Sequence, residues 1–196
     1  MMLPIVAFGD PVLKKVSIEI EENYPKLNEL IENMWETMYN ASGVGLAAPQ
    51  IGLPIRLFII DTRAFADDDS LSKVEQKELS EFKKVFINAV IEEEFGEDFT
   101  FNEGCLSIPD IREDITRKDT ITITYLDENF KKKKETYNGL RARVIQHEYD
   151  HIEGILFTDK LSSLKKRLLK KRLTNISKGN IKIDYRMKFP LMKKGR

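Results

Sequence analysis

The chain contains two histidines, and they stand four residues apart in Gln146-His147-Glu148-Tyr149-Asp150-His151. Residues four apart on a helix lie on one face a turn from each other, so His147 and His151 can present two imidazoles to one metal ion, with Glu148 beside them. Random placement gives two histidines this spacing in about 1% of such chains, and requiring glutamate after the first lowers that to about 0.1%. A buried core pair would use the same spacing, because Leu140, Val144, His147 and His151 share an inward face. Each ring would then need another hydrogen-bond partner.

A catalytic metal usually takes three protein ligands and keeps one position open. No third histidine exists and no glutamate follows Glu153, which removes two common third ligands. The best remaining candidate is the single cysteine, Cys105, in Glu103-Gly104-Cys105-Leu106-Ser107. Its thiolate suits zinc or ferrous iron, and Gly104 permits close backbone approach. A lone cysteine is more often a small buried hydrophobe; beside a two-histidine helix the ligand reading prevails. A third segment, Gly43-Val44-Gly45-Leu46-Ala47-Ala48-Pro49-Gln50, lacks the features of a phosphate loop. Its small residues suit a backbone lying flat against an extended ligand, and Gln50 offers a neutral amide donor of the oxyanion-hole type. A plain tight turn would use the same composition.

These residues need elements to position them. Leu27, Leu30, Ile31, Met34, Trp35 and Met38 recur at helical steps and predict an amphipathic helix over 25–40. Strands are expected at 55–60, 85–91, 120–125 and 130–137, with a hairpin turn at Asp127-Glu128-Asn129. Residues 64–81 read as a solvated acidic excursion. A helix over 140–153 carries both histidines and stops at Gly154. Thr158 or Asp159 would cap a last, basic helix with apolar positions Leu161, Leu164, Leu168, Leu169 and Ile176. Strands grouped between terminal helices give an α+β class: antiparallel sheets around the histidine helix, with an N-terminal helix and a C-terminal basic helix.

Composition sets the outer bounds. At 196 residues, with 41% hydrophobic residues, the chain can bury one core without staples. One thiol excludes an intramolecular disulfide and a multi-cysteine zinc site. No apolar run approaches the roughly 20 residues needed to span a bilayer, and the N-terminus does not read as a signal peptide; a cytoplasmic location with no membrane partner is expected. The net charge of zero conceals two halves. Residues 1–159 hold 31 acids and 18 Lys and Arg, whereas 160–196 hold 14 Lys and Arg and one acid, Asp184. The expected division is a catalytic domain at 1–160, with 64–81 as a surface insertion, and a basic helix and tail at 161–196.

Together the three motifs resemble those of the peptide deformylase family, G-x-G-L-A-A-x-Q, E-G-C-L-S and Q-H-E-x-D-H, and they stand complete and in order here, in a likeness running from about Pro4 to Leu168. The resemblance implies removal of the formyl group from the N-formylmethionine of nascent peptides, releasing formate. Cys105, His147 and His151 would hold one divalent metal, natively Fe2+, with Zn2+ or Ni2+ in preparations. Glu148 would be the general base and acid, Gln50 and the Leu106 N–H would hold the oxyanion, and Gly45 and Arg112 would contact the peptide. An apolar pocket near Val44, Leu140 and Val144 would take the methionine side chain. Two other readings remain at this stage: a small metallopeptidase, since H-E-x-x-H fits it, and a noncatalytic nucleic-acid-binding protein, suggested by Lys165-Lys166-Arg167 and Lys170-Lys171-Arg172. The basic tail also suggests a contact with ribosomal RNA.

Overall fold

The computed structural model describes residues 1–192; the last four residues of the expected tail lie outside the described residues. In chain order the elements are β1 (Ile5–Val6), α1 (Leu27–Asn40), β2 (Gly45–Ala47), β3 (Leu57–Asp61), α2 (Lys73–Ser80), β4 (Lys83–Cys105), β5 (Ile108–Leu126), β6 (Lys132–Asn138), α3 (Gly139–Ile152), α4 (Ser163–Ser177) and β7 (Met187–Lys188). Helix and antiparallel sheet are mixed, as the α+β class requires.

Five strands form one antiparallel sheet in the order β2-β3-β4-β5-β6. Period-two alternation sorts its side chains onto two faces. Leu57, Ile59, Val85 and Ile87 turn toward Met34 and Met38 of α1. Phe58, Ile60, Phe86, Ile121 and Ile123 turn the other way and pack with Ala142, Ile145 and Ile152 of α3. The Phe58 and Phe86 rings stack there at 4.7 Å between centroids, which adds about 1 kcal/mol to their burial. A third cluster joins Leu13, Ile108, Ile115 and Phe157 to Leu169, Leu173 and Ile176 of α4. Charge changes sign at Lys160; packing runs across it without a break.

Several expectations change. The 64–81 excursion contains α2, closed by a capping box between Ser72 and Glu75. Its only buried residue is Leu79, so its sequence carries no apolar stripe. The strand expected at 85–91 does not end there but runs on through Glu92-Glu93-Glu94: β4 and β5 form a hairpin of 23- and 19-residue strands, with register shifts that bend it. The 42–50 loop holds β2 and a short 3-10 helix. Asp159 caps the 3-10 turn at 157–160 through the Leu156 N–H (2.7 Å), and Ser162 is the cap of α4. Leu164 and Leu168 are exposed, at 65% and 71%; Leu169, Leu173 and Ile176 are the inward positions. One sheet is parallel: β7, in the tail, pairs with β1, Ile5 opposite Met187.

Asp61 closes β3 beneath the cleft loop. Its carboxylate accepts from Tyr39 Oη (2.7 Å) and Arg63 Nε (2.9 Å). Burial raises its pKa, but these hydrogen bonds outweigh burial and hold it at about 2, against 3.8 for a free side chain. A depressed folded-state pKa stabilises above the unfolded value and is lost as pH falls through the folded one. Because Arg63 is half exposed, we expect Asp61→Asn to cost about 1–2 kcal/mol at pH 7, less than the shift alone implies. Urea unfolding at pH 7 and pH 2.5 checks this: the gap between wild type and variant should narrow at the lower pH, which lies below the unfolded value and just above the folded one.

Candidate metal centre and cleft

Helix α3 begins at Gly139, whose φ of +57° favours glycine, and ends before Gly154 at +71°. Between them His147, Glu148 and His151 occupy consecutive turns. Cys105 arrives from a different direction, at the end of β4 just before the two-residue turn Leu106-Ser107 into β5. The ligand atoms of Cys105, His147 and His151 all lie within 4.8 Å of one another, and Cys105 Sγ is 3.3 Å from His151 Nε2. One thiolate and two imidazoles converging from a hairpin and a helix suit a borderline-soft divalent ion such as Zn2+ or Fe2+. One polar atom supports that fit: Glu148 Oε2, on the helix that carries both histidines, is buried without a hydrogen-bond partner among the described residues, as suits a carboxylate whose partner is a water in the cleft.

The support beneath the ligands is ionic. His147 Nδ1 lies 2.9 Å from Glu103 Oε2, which fixes the ring and leaves its other nitrogen toward the centre. Glu103 in turn accepts from Arg117 (Nε, 2.7 Å) and Arg143 (2.8 Å), and Arg117 donates to Asp150 (2.7 Å). All four are buried. Burial pushes the Glu103 carboxyl up, yet hydrogen bonds from His147 and Arg117 hold it well below the usual range. Burial also disfavours a charged His147, but Cys105, Glu103 and Glu148 raise its pKa well above normal. His151 is driven the other way by burial and by His147. Burial lifts Glu148 to about 7, a value suited to a group that takes and returns a proton near neutrality.

The cleft above this floor encloses about 640 Å³. Along one side runs β2, the edge strand of the sheet. Asp61 N–H donates to Val44 O at 2.9 Å, so the alternation of an antiparallel ladder turns the Gly45 N–H and C=O toward the open edge. Ala47 has the same parity, and its N–H is taken by Gln50 Oε1 (2.8 Å). Since a backbone N–H can only donate, this contact fixes the Gln50 amide and directs Nε2 toward Cys105 Sγ and Ser107 Oγ, both at 3.5 Å. The Leu106 N–H donates to no acceptor among the described residues.

Of the residues expected at the site, Gln50, Cys105, Leu106, His147, Glu148, Gly45, Val44, Val144 and Arg112 line the cleft; His151 lies buried behind Cys105, its Nε2 3.3 Å from Sγ, and Leu140 does not reach the cleft. Leu140 sits in the first turn of α3, nearly two turns before His147, and the cleft wall starts further along the helix, at Arg143. Arg112 is on the rim with its Nε donating to Asn102 Oδ1 (2.9 Å). Sequence reasoning missed Glu103, Arg117, Arg143 and Asp150, whose signal is tertiary burial; Glu103 and Asp150 stood inside recognised motifs, without a role assigned to either. It missed Phe65, contributed by the segment read as an excursion, and Lys182 to Tyr185 of the tail, which also line the cleft.

Gly45 has a reason in this geometry. A Cβ there would sit 2.7 Å from Glu148 Cδ and closer still to Oε1. Gly45→Ala should therefore push Glu148 aside and lower kcat by about 100-fold, the scale expected for a 1 Å misplacement. Steady-state kinetics with the folded variant decides this, and a change within threefold would refute it.

A model of the polypeptide deformylase family matches residues 2–167. The chain is 65% identical to the peptide deformylase of Christiangramia forsetii over 196 residues, 100% of both chains. It is 64% identical to that of Flavobacterium johnsoniae, again over 100% of both. Among solved structures, a Legionella pneumophila peptide deformylase aligns with a TM-score of 0.75 at 34% identity, covering 92% of this chain and 98% of that one.

Proposed function

The chain belongs to the polypeptide deformylase family, and on that premise we propose how its residues divide the hydrolysis of the N-formyl group from formylmethionyl peptides. The observation that carries the assignment of roles is the meeting of Cys105, His147 and His151 at the floor of a cleft bordered by an open strand edge. In this reading antiparallel sheets pack around the helix that carries the histidines. The metal ligands are Cys105, His147 and His151, and Fe2+ is the native ion we infer, with Zn2+ or Ni2+ taking its place in preparations. Bound there, the divalent ion supplies Lewis acidity, polarising a carbonyl oxygen and lowering the pKa of a water from 15.7 to about 7.

The protein does the rest. The formyl peptide lies along β2 as an added strand, its backbone paired with Gly45, and its methionine side chain enters the cleft near Val44 and Val144. Glu148 takes the proton of the attacking water as the oxygen bonds to the formyl carbon. Gln50 Nε2 and the Leu106 N–H receive the oxyanion, each worth about 3 kcal/mol by analogy with other oxyanion holes. Glu148 then delivers its proton to the amine as the C–N bond breaks, and formate and the free N-terminus leave. Glu148 packed on Gly45 leaves little room beside the reacting carbon, which favours a formyl hydrogen over an acetyl methyl. Arg112 contacts the peptide further out.

The acidic body (1–160) carries every ligand, base and oxyanion group in this reading, while Lys182 to Tyr185 of the tail complete the cleft wall. The cation-rich exposed face of α4, with Leu164 and Leu168 uncovered, supports contact with ribosomal RNA, and a cytoplasmic location follows from that partner. No helix among the described residues is long and apolar enough to cross a membrane. Formate release from formyl-Met-Ala-Ser under anaerobic, iron-loaded conditions tests the whole reading, with metal content measured in parallel. Loss of bound metal and of activity together in Cys105→Ala is the expected result; full activity in that variant would remove the ligand assignment.

A further inference from the structure

The turn that carries Leu106 is held from two sides. Phe8 N–H donates to Ser107 O at 2.8 Å, and the Tyr185 hydroxyl donates to Leu106 O at 2.8 Å. Tyr185 lies in a strap that follows α4, and the strap is itself tied down: Ile5 N–H donates to Arg186 O and Ala7 N–H to Lys188 O, each at 2.9 Å, through the β1/β7 pair. Its residues Lys182 to Tyr185 form part of the cleft wall. Tyr185 is partly buried, and burial first, then the nearby Cys105 and Asp110, raise its pKa. Its proton therefore stays on the hydroxyl at neutral pH, and the hydroxyl stays a donor.

The turn spans only Leu106 and Ser107 and is closed by the Cys105–Ile108 pair, beside a register shift between Gly104 and Cys105. Leu106 N–H has no protein acceptor among the described residues, so its direction depends on what holds the rest of the Leu106 backbone. The Leu106 carbonyl is held by Tyr185, and the following Ser107 carbonyl by Phe8. We propose that Tyr185 is a positioning residue for catalysis: by anchoring the Leu106 carbonyl from the C-terminal strap it aims the Leu106 N–H at the oxyanion. The strap is thereby part of the catalytic cleft, although it lies beyond every motif in the sequence.

This inference rests on the role given to Leu106 above, and the experiment separates the two. Tyr185→Phe keeps the ring that packs in the cleft wall and deletes only the hydroxyl. With formyl-Met-Ala-Ser, wild type must first release formate; if it does not, the deformylase reading itself fails. Given an active wild type, Tyr185→Phe should lower kcat about tenfold and change KM less than twofold, because a misaimed oxyanion donor is felt in the transition state and not in the ground state. A tetrahedral phosphonate analogue of the substrate should lose affinity in the same proportion as kcat/KM, while the product peptide Met-Ala-Ser binds unchanged. Metal content and thermal melting are read on the same samples, so a loss of folded or loaded enzyme is scored apart from kcat per loaded site. Per loaded site, a kcat within twofold of wild type, or an analogue affinity that does not follow kcat/KM, overturns the proposal. Should Tyr185→Phe melt below assay temperature, Tyr185→His, which keeps a ring and a donor, is assayed instead. A kcat in Tyr185→His as low as in a Tyr185→Leu variant of equal stability would also overturn it.

Discussion

Replacing Glu148 by glutamine should lower kcat for formate release about 1,000-fold while metal content stays at the wild-type level. The two readouts separate because Glu148 supplies no ligand atom to the Cys105, His147, His151 group, whereas its carboxylate sits in the cleft against Gly45. Glutamine keeps the shape, so the packing over Gly45 survives and the variant folds. What is lost is the capacity to take a proton from water and return it to the leaving amine. The residual rate measures what Gln50, Leu106 and the metal achieve without proton transfer. A kcat within tenfold of wild type would mean that another group carries the proton, and the assignment of Glu148 would fall.

Glu103→Gln should be the most damaging substitution outside the ligands. Glu103, Asp150, Arg117 and Arg143 form a buried group of two anions and two cations. Removing the Glu103 charge leaves Arg143 without its ion-pair partner and Arg117 with only Asp150, which Lys160 also contacts, and breaking a buried ion pair from one side costs about 3–5 kcal/mol. The amide also presents N–H donors where Arg117, Arg143 and His147 all have N–H groups of their own. His147 loses the partner that sets its tautomer, which weakens metal affinity about 10- to 100-fold. Urea unfolding of the metal-loaded and chelator-treated forms, with competition against a chromophoric chelator, checks both numbers. A destabilisation below about 1 kcal/mol with unchanged metal affinity would show that the ion group contributes little to the site.

That His147 and His151 lie together was legible because two histidines and a glutamate at helical spacing define a face before any fold is known. The ion group below them was not, because Glu103, Arg117, Arg143 and Asp150 come from β4, β5 and α3, and nothing local marks a charged residue as buried. The same limit applies to the fold. Helices α1 and α3 announce themselves by apolar periodicity and, for α3, by glycines at both ends. Helix α2 is polar nearly all round and leaves only the Ser72/Glu75 cap as a signal. The exposed middle of the β4/β5 hairpin is held by backbone pairing, which Glu92-Glu93-Glu94 does not oppose since its side chains point to solvent. For α4, the expected apolar positions mix two faces: Leu161, Leu169 and Ile176 are buried, Leu164 and Leu168 are exposed, and Leu173 is the buried position left out. The two-residue strand β7 has no local signature at all, since its partner lies some 180 positions away.

That last pairing has a bearing on how the enzyme is made. A chain synthesised from its N-terminus exposes Ile5 and Val6 about 180 residues before Met187 and Lys188. The first strand waits, unpaired on that edge, until those residues are made, and closing so long a loop comes late in folding as well. The Tyr185 anchor forms only after this closure. Until then α3 and the Cys105 hairpin can already be in place, so on the roles proposed above metal capture would precede full catalytic competence, and a chain still short of its strap would hold an ion before it holds a finished oxyanion site.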